Sequence, residues 1–450
     1  MRTARRPVES RPNILFFFPD QHRFDWLGAN PAVPVRTPNL DGLAARGARF
    51  ANAICPSPLC APSRACLASG KEYDRCRVAD NGDDYPLDQL TFYTLLRDAS
   101  GSDAKDGGYH VAGCGKFDLA KAMHDWGVDG KRLLKEWGFS DGVDNEGKWD
   151  GVNTGAGEPK GPYLAWLHRN GLAGAHVEDF QRRRSNPVAT FPTPLPEEAY
   201  CDNWAARVGL DLMRGFPRDK PWFLQVNFPG PHDPWDITEE MEKSCRHLKG
   251  FPQPVESKRF APEEHLRARQ NYSAMVENID RWVGVYVEGL RRRGELEDTL
   301  IVYSSDHGEM LGDHDLWGKN QPYHPSVAVP LIVVGPGVEP GQVIDAPTEI
   351  LDLTATFLDY AGVARPGDMD SRSLRPVLEG RTDRVRECAL SGLGDWRMAM
   401  DGRHKLVRRE GGEPWLFDMR KDPRETHNLA AHEPEIVARL RRQMEGETAR

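Results

Sequence analysis

The stretch TLIVYSSDHGE, residues 299–309, joins an unbroken apolar run to a group of polar residues. The run from Leu300 to Tyr303 lacks the alternation of a half-buried strand, so it predicts a strand that is covered on both faces. Ligands of sheets built from such strands bind beyond the carboxyl ends of the strands. Asp306 and His307 lie just beyond this run, and they are therefore candidate site residues.

Other apolar runs have the same character and alternate with segments of helical periodicity. These runs are NILFFFPD (13–20), YHVAGCGK (109–116), PWFLQVNFPGPH (221–232) and VPLIVVGPG (329–337). The clearest helical spacing lies within residues 263–293, at Met275, Ile279, Trp282, Tyr286 and Leu290. Alternation of strands and helices predicts an α/β sandwich whose central sheet is mixed and mostly parallel and lies between helices.

The pattern changes after about residue 385 to short alternating pieces, WRMAMDGRHKLVRR and PWLFDM, followed by a helix over residues 433–445. We predict a large domain of residues 1–385 and a small α+β subdomain of residues 386–450 with an antiparallel sheet. Residues 100–108, SGSDAKDGG, resemble a flexible surface insertion, and the Gly- and Pro-rich residues 140–200 predict long loops near the mouth of a site.

Composition argues against several classes of protein. The 450 residues carry a net charge of −9, which disfavours a nucleic-acid partner, and the eight cysteines form no CxxC pair of a zinc ribbon or redox motif. No apolar run follows the arginines of MRTARRPVESRPN, and the run at residues 14–18 is too short for a signal peptide or a membrane span. These features predict a cytoplasmic protein with no membrane partner.

Polar residues follow four of the predicted strands. Asp20 and Gln21 come after the first run, Lys116 after the second and His232 after the third. Together with Asp306 and His307, the two Asp carboxylates and the Gln amide form an oxygen-rich set that suits Ca²⁺, Mg²⁺ or Mn²⁺. The alternative for any single acid is that it caps a helix or a turn.

The segment CAPSRACLASG, residues 60–70, places Cys60 four residues before Arg64. A buried structural thiol is the default interpretation, since free cysteine is among the most buried residue types. However, Pro62 indicates that a helix begins near Ala61, which puts Cys60 at its positive end, where a nucleophile or an anion is stabilised.

These motifs together resemble those of the type I, formylglycine-dependent sulfatases of the alkaline-phosphatase superfamily. The resemblance combines CxPSR and Gly70, the strand-end Asp20 and the segment SDHGExLGDH of residues 305–314, and it spans residues 13–430. It continues through CGKF, PGPHDPW, LWGKN and DPRETHNLA, the last at residues 422–430. It implies an alkaline-phosphatase-like sandwich and hydrolysis of a sulfate ester.

The resemblance also assigns roles to the site residues. It implies that a formylglycine-generating enzyme reads Pro62 and Arg64 and oxidises Cys60 to an aldehyde. The hydrate of this aldehyde attacks sulfur and becomes a covalent sulfate ester, and its second hydroxyl then expels sulfate. One divalent ion, Ca²⁺ first and Mn²⁺ or Mg²⁺ as alternatives, would be held by Asp20, Gln21, Cys60, Asp306 and His307. The predicted catalytic residues are Cys60, Arg64 at the diol, Lys116 and Lys319 at the sulfate, and His232 as general acid.

Two positions of the predicted site depart from the family pattern. Gln21 stands where many members carry a second Asp, so it either ligates the ion through oxygen or forms a hydrogen bond nearby. Asp118 stands where the family usually has a histidine two residues after the lysine, and it is a candidate for the base that deprotonates the diol. His314 and Asp315 are expected to shape their loop rather than to bind the metal.

The sequence leaves the substrate open. A sulfated carbohydrate is the first hypothesis, with Trp235 expected to face the pocket among the tryptophans at positions 126, 137, 149, 166 and 235. A phosphonate monoester or phosphodiester, choline sulfate and aryl sulfates are alternatives, as is a non-catalytic metal-stabilised protein in which Cys60 stays a thiol. Cys66 is expected to be structural and Arg182–Arg184 a solvated basic turn. A homo-oligomer stays open.

Overall fold

The structure is a computed structural model that describes residues 11–99, 107–186 and 188–448. The strands are β1 Asn13–Phe17, β2 Ala48–Phe50, β3 Ala53–Ile54, β4 His110–Gly115, β5 Asp141–Asp144, β6 Trp222–Asn227, β7 Thr299–Tyr303, β8 Ile332–Val334, β9 Gln342–Ile344, β10 Thr348–Glu349, β11 Ala389–Leu393, β12 Trp396–Met400, β13 His404–Arg409 and β14 Trp415–Asp418.

The helices pack around these strands. They are α1 Pro38–Arg46, α2 Cys60–Ser69, α3 Phe92–Arg97, α4 Trp149–Gly155, α5 Pro162–Arg169, α6 Ala173–Arg184, α7 Cys201–Gly215, α8 Glu239–Cys245, α9 Pro262–Arg293, α10 His324–Val327, α11 Asp352–Tyr360, α12 Arg375–Leu378 and α13 Pro434–Thr448. Within the described residues, no helix combines the length and the apolar composition that crossing a bilayer requires.

The central sheet has eight strands in the order β5-β4-β6-β1-β7-β8-β2-β9. β1 pairs in parallel with β6 on one side and with β7 on the other. β8 runs antiparallel to both of its neighbours, β7 and β2, which makes the sheet mixed. The polar residues that follow β1 and β7 therefore meet at one edge of the sheet, as the sequence predicts.

Both faces of the central sheet are buried. Along β1, Ile14 and Phe16 join a core with residues of α2, α3 and α11, while Leu15 and Phe17 join a second core with residues of α1, α7 and α9. Successive side chains of a strand point to opposite faces, so a strand covered on both sides needs an unbroken apolar run. The absence of alternation in NILFFFPD has this physical cause.

The C-terminal part forms an antiparallel sheet in the order β11-β12-β13-β14, against which α13 packs through Leu440. The sheet and the helix agree with the predicted α+β subdomain, while the boundary between residues 385 and 386 stays a prediction. The predicted insertion at 100–108 lies, except for Gly107 and Gly108, outside the described residues.

The prediction of long loops over residues 140–200 is wrong for much of the segment, which contains α4, α5 and α6. Tyr163, Leu167 and Ala173 belong to a separate buried apolar cluster. The packing of this cluster stabilises the helices despite the Gly and Pro content of the segment. Arg182–Arg184 form the last turn of α6, where Arg182 and Arg184 are exposed, as expected for a solvated basic turn. Arg183 is buried, and its Nε donates to Asp179 Oδ2 at 3.0 Å.

Candidate active site

A buried cluster lies beyond the carboxyl ends of β1 and β7. Asp20 follows β1, Asp306 and His307 follow β7, and Cys60 is the first residue of α2. One ligand atom from each of these four residues lies within 4.8 Å of the others, and all four residues are buried. Three segments that are far apart in the sequence thus meet at one point.

Local contacts define where α2, the helix formed by CAPSRACLASG, begins and ends. Asn81 Oδ1 accepts the backbone N–H of Ala61 at 3.0 Å, which satisfies one of the open donors at the start of the helix. Gly70 ends the helix with φ 67°, and a Cβ there would lie 2.9 Å from Ser371 Oγ. Glycine adopts this left-handed conformation without strain, so the helix that presents Cys60 ends cleanly.

Cationic groups surround the Cys60 thiol. Sγ lies 3.2 Å from Lys319 Nζ, 3.6 Å from Lys116 Nζ and 3.3 Å from His307 Nε2. Burial and the Asp20 carboxylate raise the pKa of this thiol, but Lys116, Lys319 and His307 outweigh them and hold it well below its ordinary value. Position 60 is therefore a place where negative charge is stabilised, which a nucleophile requires.

Arg64 fixes the helix to the strand-end acids. Its Nε donates to Asp306 Oδ2 at 3.0 Å, one terminal nitrogen lies 3.4 Å from Asp20 Oδ2, and the other donates to the Lys116 carbonyl at 2.7 Å. The guanidinium also lies over the Phe18 ring, 5.0 Å from its centroid. Arg64 thus connects α2 to the cluster, and all three nitrogens of its guanidinium contact acceptors of the protein.

Lys116 connects the cluster to a chain of alternating charges. Its ammonium lies 2.5 Å from Asp20 Oδ2 and 3.1 Å from Asp118 Oδ2. Asp118 in turn contacts Lys121 at 3.2 Å, and Lys121 contacts Asp150 at 2.5 Å. Lys116 therefore lies between Asp118 and residue 60 and contacts both.

Lys319 and His232 form a pair on the outer side of Cys60. Lys319 Nζ lies 2.6 Å from His232 Nε2 and 2.6 Å from Gln21 Oε1. His232 Nδ1 faces two acceptors, the Asp233 carbonyl at 2.6 Å and the Asp233 carboxylate at 3.2 Å. The proton of the imidazole accordingly belongs on Nδ1, and Nε2 accepts from the ammonium of Lys319.

The Gln21 amide is engaged on both sides by protein groups. Its oxygen accepts from Lys319, and its nitrogen donates to Glu309 Oε2. Of the two roles open to Gln21, these contacts favour the hydrogen-bonding one. Glu309, which the sequence analysis does not single out, is buried, and burial raises its pKa to about 7.

The cluster fits a hard divalent cation by the chemistry of its donors. Asp20 and Asp306 offer carboxylate oxygens and His307 an imidazole nitrogen, and these are common ligands of divalent ions. Burial raises the pKa of Asp20, yet Lys116, His232, Lys319 and Arg64 outweigh it and hold this carboxyl ionised. The sulfur of Cys60 is the one soft donor in this set.

The expectation that Trp235 faces the pocket is wrong. Trp235 is buried, with ring centroids 5.9 Å from Tyr272 and 6.0 Å from Trp317, because its segment turns inward after His232. Trp126 and Trp137 are also buried. Trp149 lies nearer the site, where its Nε1 donates to Asp233 Oδ2 at 2.9 Å.

Three further residues stay away from the cluster, as expected. His314 stacks on Tyr323 with ring centroids 4.1 Å apart. Asp315 accepts the backbone N–H groups of Lys258 and Arg259 and so shapes its loop. Cys66 lies in the main core.

Comparison with known proteins matches this chain to one family. A sequence model of the family described as Sulfatase matches residues 12–363, and one described as N-sulphoglucosamine sulphohydrolase, C-terminal, matches residues 312–450. The choline-sulfatase of Rhizobium meliloti (strain 1021) is 32% identical over 453 residues, covering 93% of this chain and 82% of its own. The N-acetylglucosamine-6-O-sulfatase of Bacteroides thetaiotaomicron is 26% identical over 483 residues, with the same coverage of 93% and 82%.

The fold has close structural neighbours. The crystal structure of the phosphonate monoester hydrolase of Agrobacterium radiobacter superposes with a TM-score of 0.79 at 24% identity, covering 98% of this chain and 96% of the other. The predicted alkaline-phosphatase-like fold is therefore confirmed. The chain belongs to the sulfatase family of the alkaline-phosphatase superfamily and is a sulfuric ester hydrolase.

Proposed function

We propose that the chain cleaves a sulfate ester with a formylglycine made from Cys60 and one divalent cation. The observation that carries this proposal is that Cys60 meets Asp20, Asp306 and His307 within 4.8 Å. A thiol is a soft ligand among hard donors. A hydrated aldehyde at residue 60 offers oxygen instead, which suits Ca²⁺, with Mn²⁺ or Mg²⁺ as alternatives. A formylglycine-generating enzyme is then a required partner.

The cation would be held by Asp20, Asp306, His307 and the oxidised residue 60. Gln21 would orient Lys319 beside this site. The bound ion supplies Lewis-acid stabilisation of the negative charge that develops during sulfuryl transfer. Every other contribution comes from the chain itself. Arg64 holds α2 and the acids in register through its contacts with Asp20 and Asp306.

The basic side chains receive the sulfate and move protons. Lys116 and Lys319, each within 3.6 Å of Cys60 Sγ, are positioned to bind sulfate oxygens. Lys319 and His232 together supply a proton to the leaving oxygen: the ammonium of Lys319 passes a proton to His232 Nε2, 2.6 Å away, and Nε2 passes it on to the leaving oxygen. Asp118 acts as a base on residue 60 through Lys116, the lysine that lies between them.

The substrate class is proposed from the proteins to which this chain is similar. One relative is named for choline sulfate and another for a sulfated N-acetylglucosamine, so both a small alkyl sulfate and a sulfated carbohydrate belong among the candidates. We favour the carbohydrate, because the family model described as N-sulphoglucosamine sulphohydrolase, C-terminal, also matches residues 312–450. A phosphonate monoester is the second candidate, because the fold of a phosphonate monoester hydrolase superposes over 98% of this chain.

A panel of four esters tests this proposal: a sulfated glucosamine, choline sulfate, an aryl sulfate and an aryl phosphonate monoester. The protein is produced together with a formylglycine-generating enzyme and assayed with Ca²⁺, Mn²⁺ or Mg²⁺. We expect the highest kcat/KM on a sulfate ester, and loss of turnover after chelation. A preference for the phosphonate by about 10-fold or more, equal to 1.4 kcal/mol in the barrier, would transfer the proposal to the second candidate.

A further inference from the structure

Lys148, a buried lysine outside the cluster, contacts the segment that carries His232. Lys148 Nζ donates to the His232 carbonyl at 3.0 Å, contacts the Pro234 carbonyl at 3.4 Å and forms an ion pair with Asp236 at 2.7 Å. Its side chain is only 2% exposed. The hydrogen bonds and the ion pair that the structure gives for this ammonium go to residues 232–236, and the ammonium also lies 5.6 Å from the centroid of the Tyr200 ring.

The pattern of these contacts explains how the imidazole is aimed. The carbonyls of His232 and Pro234 face Lys148, while the carbonyl between them, that of Asp233, accepts from His232 Nδ1 at 2.6 Å. The two contacts thus hold the backbone on both sides of the Asp233 carbonyl, which faces the ring. The proton is thereby kept on Nδ1, and Nε2 points at Lys319.

Trp149, the residue after Lys148, contacts the same segment through the Asp233 side chain. Trp149 Nε1 donates to Asp233 Oδ2 at 2.9 Å, and Asp233 Oδ1 lies 3.2 Å from His232 Nδ1. Lys148 and Trp149 are thus adjacent in the chain and hold, respectively, the backbone and the carboxylate that the imidazole contacts. No comparable contact joins either of them to Asp20, Cys60 or Asp306 in the described part of the chain.

We propose that Lys148 is a positioning residue, which acts on the reaction by fixing the tautomer and direction of His232. This inference rests on the proposed general-acid role of His232 for its kinetic consequence, but not for its structural one. Removal of the ammonium frees the Asp233 carbonyl to turn away from the ring. A displacement of a catalytic group by about 1 Å can reduce the rate by about 10²-fold.

The variants must separate an effect on the direction of the His232 imidazole from an effect on folding. Lys148→Met alone leaves the Asp236 carboxylate buried without its partner, which is strongly destabilising. The test variant is therefore Lys148→Met combined with Asp236→Asn, and Asp236→Asn alone is its matched control. The control removes the ion pair and leaves the Lys148 ammonium buried without its carboxylate, so it also loses stability. It keeps the bonds from Lys148 to the two carbonyls, and all variants are assayed at a temperature at which each of them is folded. Lys131→Met, at an exposed lysine paired with Asp141, controls for loss of a lysine.

Kinetics on two sulfate esters then distinguish the roles. We expect the double variant to lose about 10²-fold in kcat/KM on an alkyl sulfate and far less on an activated aryl sulfate, because only the poor leaving group needs the proton. Asp236→Asn should stay close to the wild-type protein on both esters. In a His232→Ala background, adding the double change should cost less than about 3-fold further. Equal losses on both esters, or full additivity with His232→Ala, overturn the inference.

A crystal structure of the double variant tests the inference even if the preferred substrate proves to be a phosphonate or if turnover is not found. We expect His232 Nε2 to leave its contact with Lys319 Nζ. An imidazole that keeps both this contact and its bond to the Asp233 carbonyl would overturn the positioning role, whatever the reaction is. A wild-type protein without sulfatase activity would instead count against the proposed function alone.

Discussion

Cys60 Sγ lies 3.3 Å from His307 Nε2, although 247 positions separate the two residues in the chain. The contact joins the first residue of α2 to the segment after β7, and Arg64 reinforces it through Asp306. Because the thiol lies among hard metal donors and cationic side chains, we infer that it serves the reaction rather than the packing of the core.

Replacement of Cys60 by alanine should abolish turnover and preserve the fold. The change removes the proposed nucleophile, and loss of such a group costs about 10⁴-fold or more in kcat. Cys66→Ala, a buried cysteine of the same helix, is the matched control and should lower the melting temperature while retaining activity. Turnover of Cys60→Ala at the wild-type level would contradict the role of residue 60.

His232→Ala should discriminate between leaving groups. Without the donating imidazole, an alkyl sulfate should lose about 10²- to 10⁴-fold in kcat, while an aryl sulfate with an acidic phenol should lose much less. The measurement is the dependence of kcat on the pKa of the leaving alcohol across a series of esters. The same loss along the whole series would exclude a general acid at this position.

Removal of the divalent cation should lower stability as well as activity. An ion that binds only the folded state at 100 times its Kd adds about 2.7 kcal/mol to the free energy of unfolding. Thermal unfolding of the chelated protein, with and without added Ca²⁺, measures this effect. In Asp306→Asn the added ion should produce little shift, and an unchanged shift in this variant would place the ion elsewhere.

Glu146 should give the protein a pH-dependent stability that is unrelated to the cluster. Burial raises the pKa of Glu146 from 4.5 to about 7, although the backbone N–H of Leu164 donates to its carboxylate at 2.7 Å. The folded state therefore binds this proton more tightly than the unfolded state does. Its contribution to stability is fully present below pH 4.5 and is lost as the pH rises to about 7.

Glu146→Gln tests this dependence, because glutamine is nearly isosteric and does not titrate. Relative to the wild-type protein, the variant should gain stability between pH 4.5 and pH 8 by about 3 kcal/mol at most, since one pKa unit corresponds to 1.36 kcal/mol. The free energy of unfolding of both proteins, measured by denaturant titration at each pH, provides the comparison. A constant difference across this range would mean that Glu146 is ionised throughout.

The sequence predicts the strands and the residues at their ends because burial on both faces requires unbroken apolar runs. Asp20, Lys116, His232 and Asp306 are found from this pattern, and the start of α2 from Pro62. Residue 60 is singled out by its position at a helix start and by the family resemblance.

Other features depend on tertiary contacts that leave no local signal. Trp235 looks like a pocket residue from its place beside His232, but packing against Tyr272 turns it inward. Gln21 looks like a ligand, yet its direction is set by Lys319 and Glu309 from a distant loop. Lys148 lies in a segment of unremarkable composition, and its role follows only from the carbonyls it meets.

The central claim is that residue 60 works as an aldehyde and not as a thiol. Mass spectrometry of the peptide that contains residue 60, from protein produced with and without a formylglycine-generating enzyme, measures the converted fraction, and a hydrazide probe confirms the aldehyde. We predict that sulfatase turnover rises in proportion to the converted fraction and is absent from the wholly thiol form. Full turnover by protein in which Cys60 is entirely a thiol would contradict it.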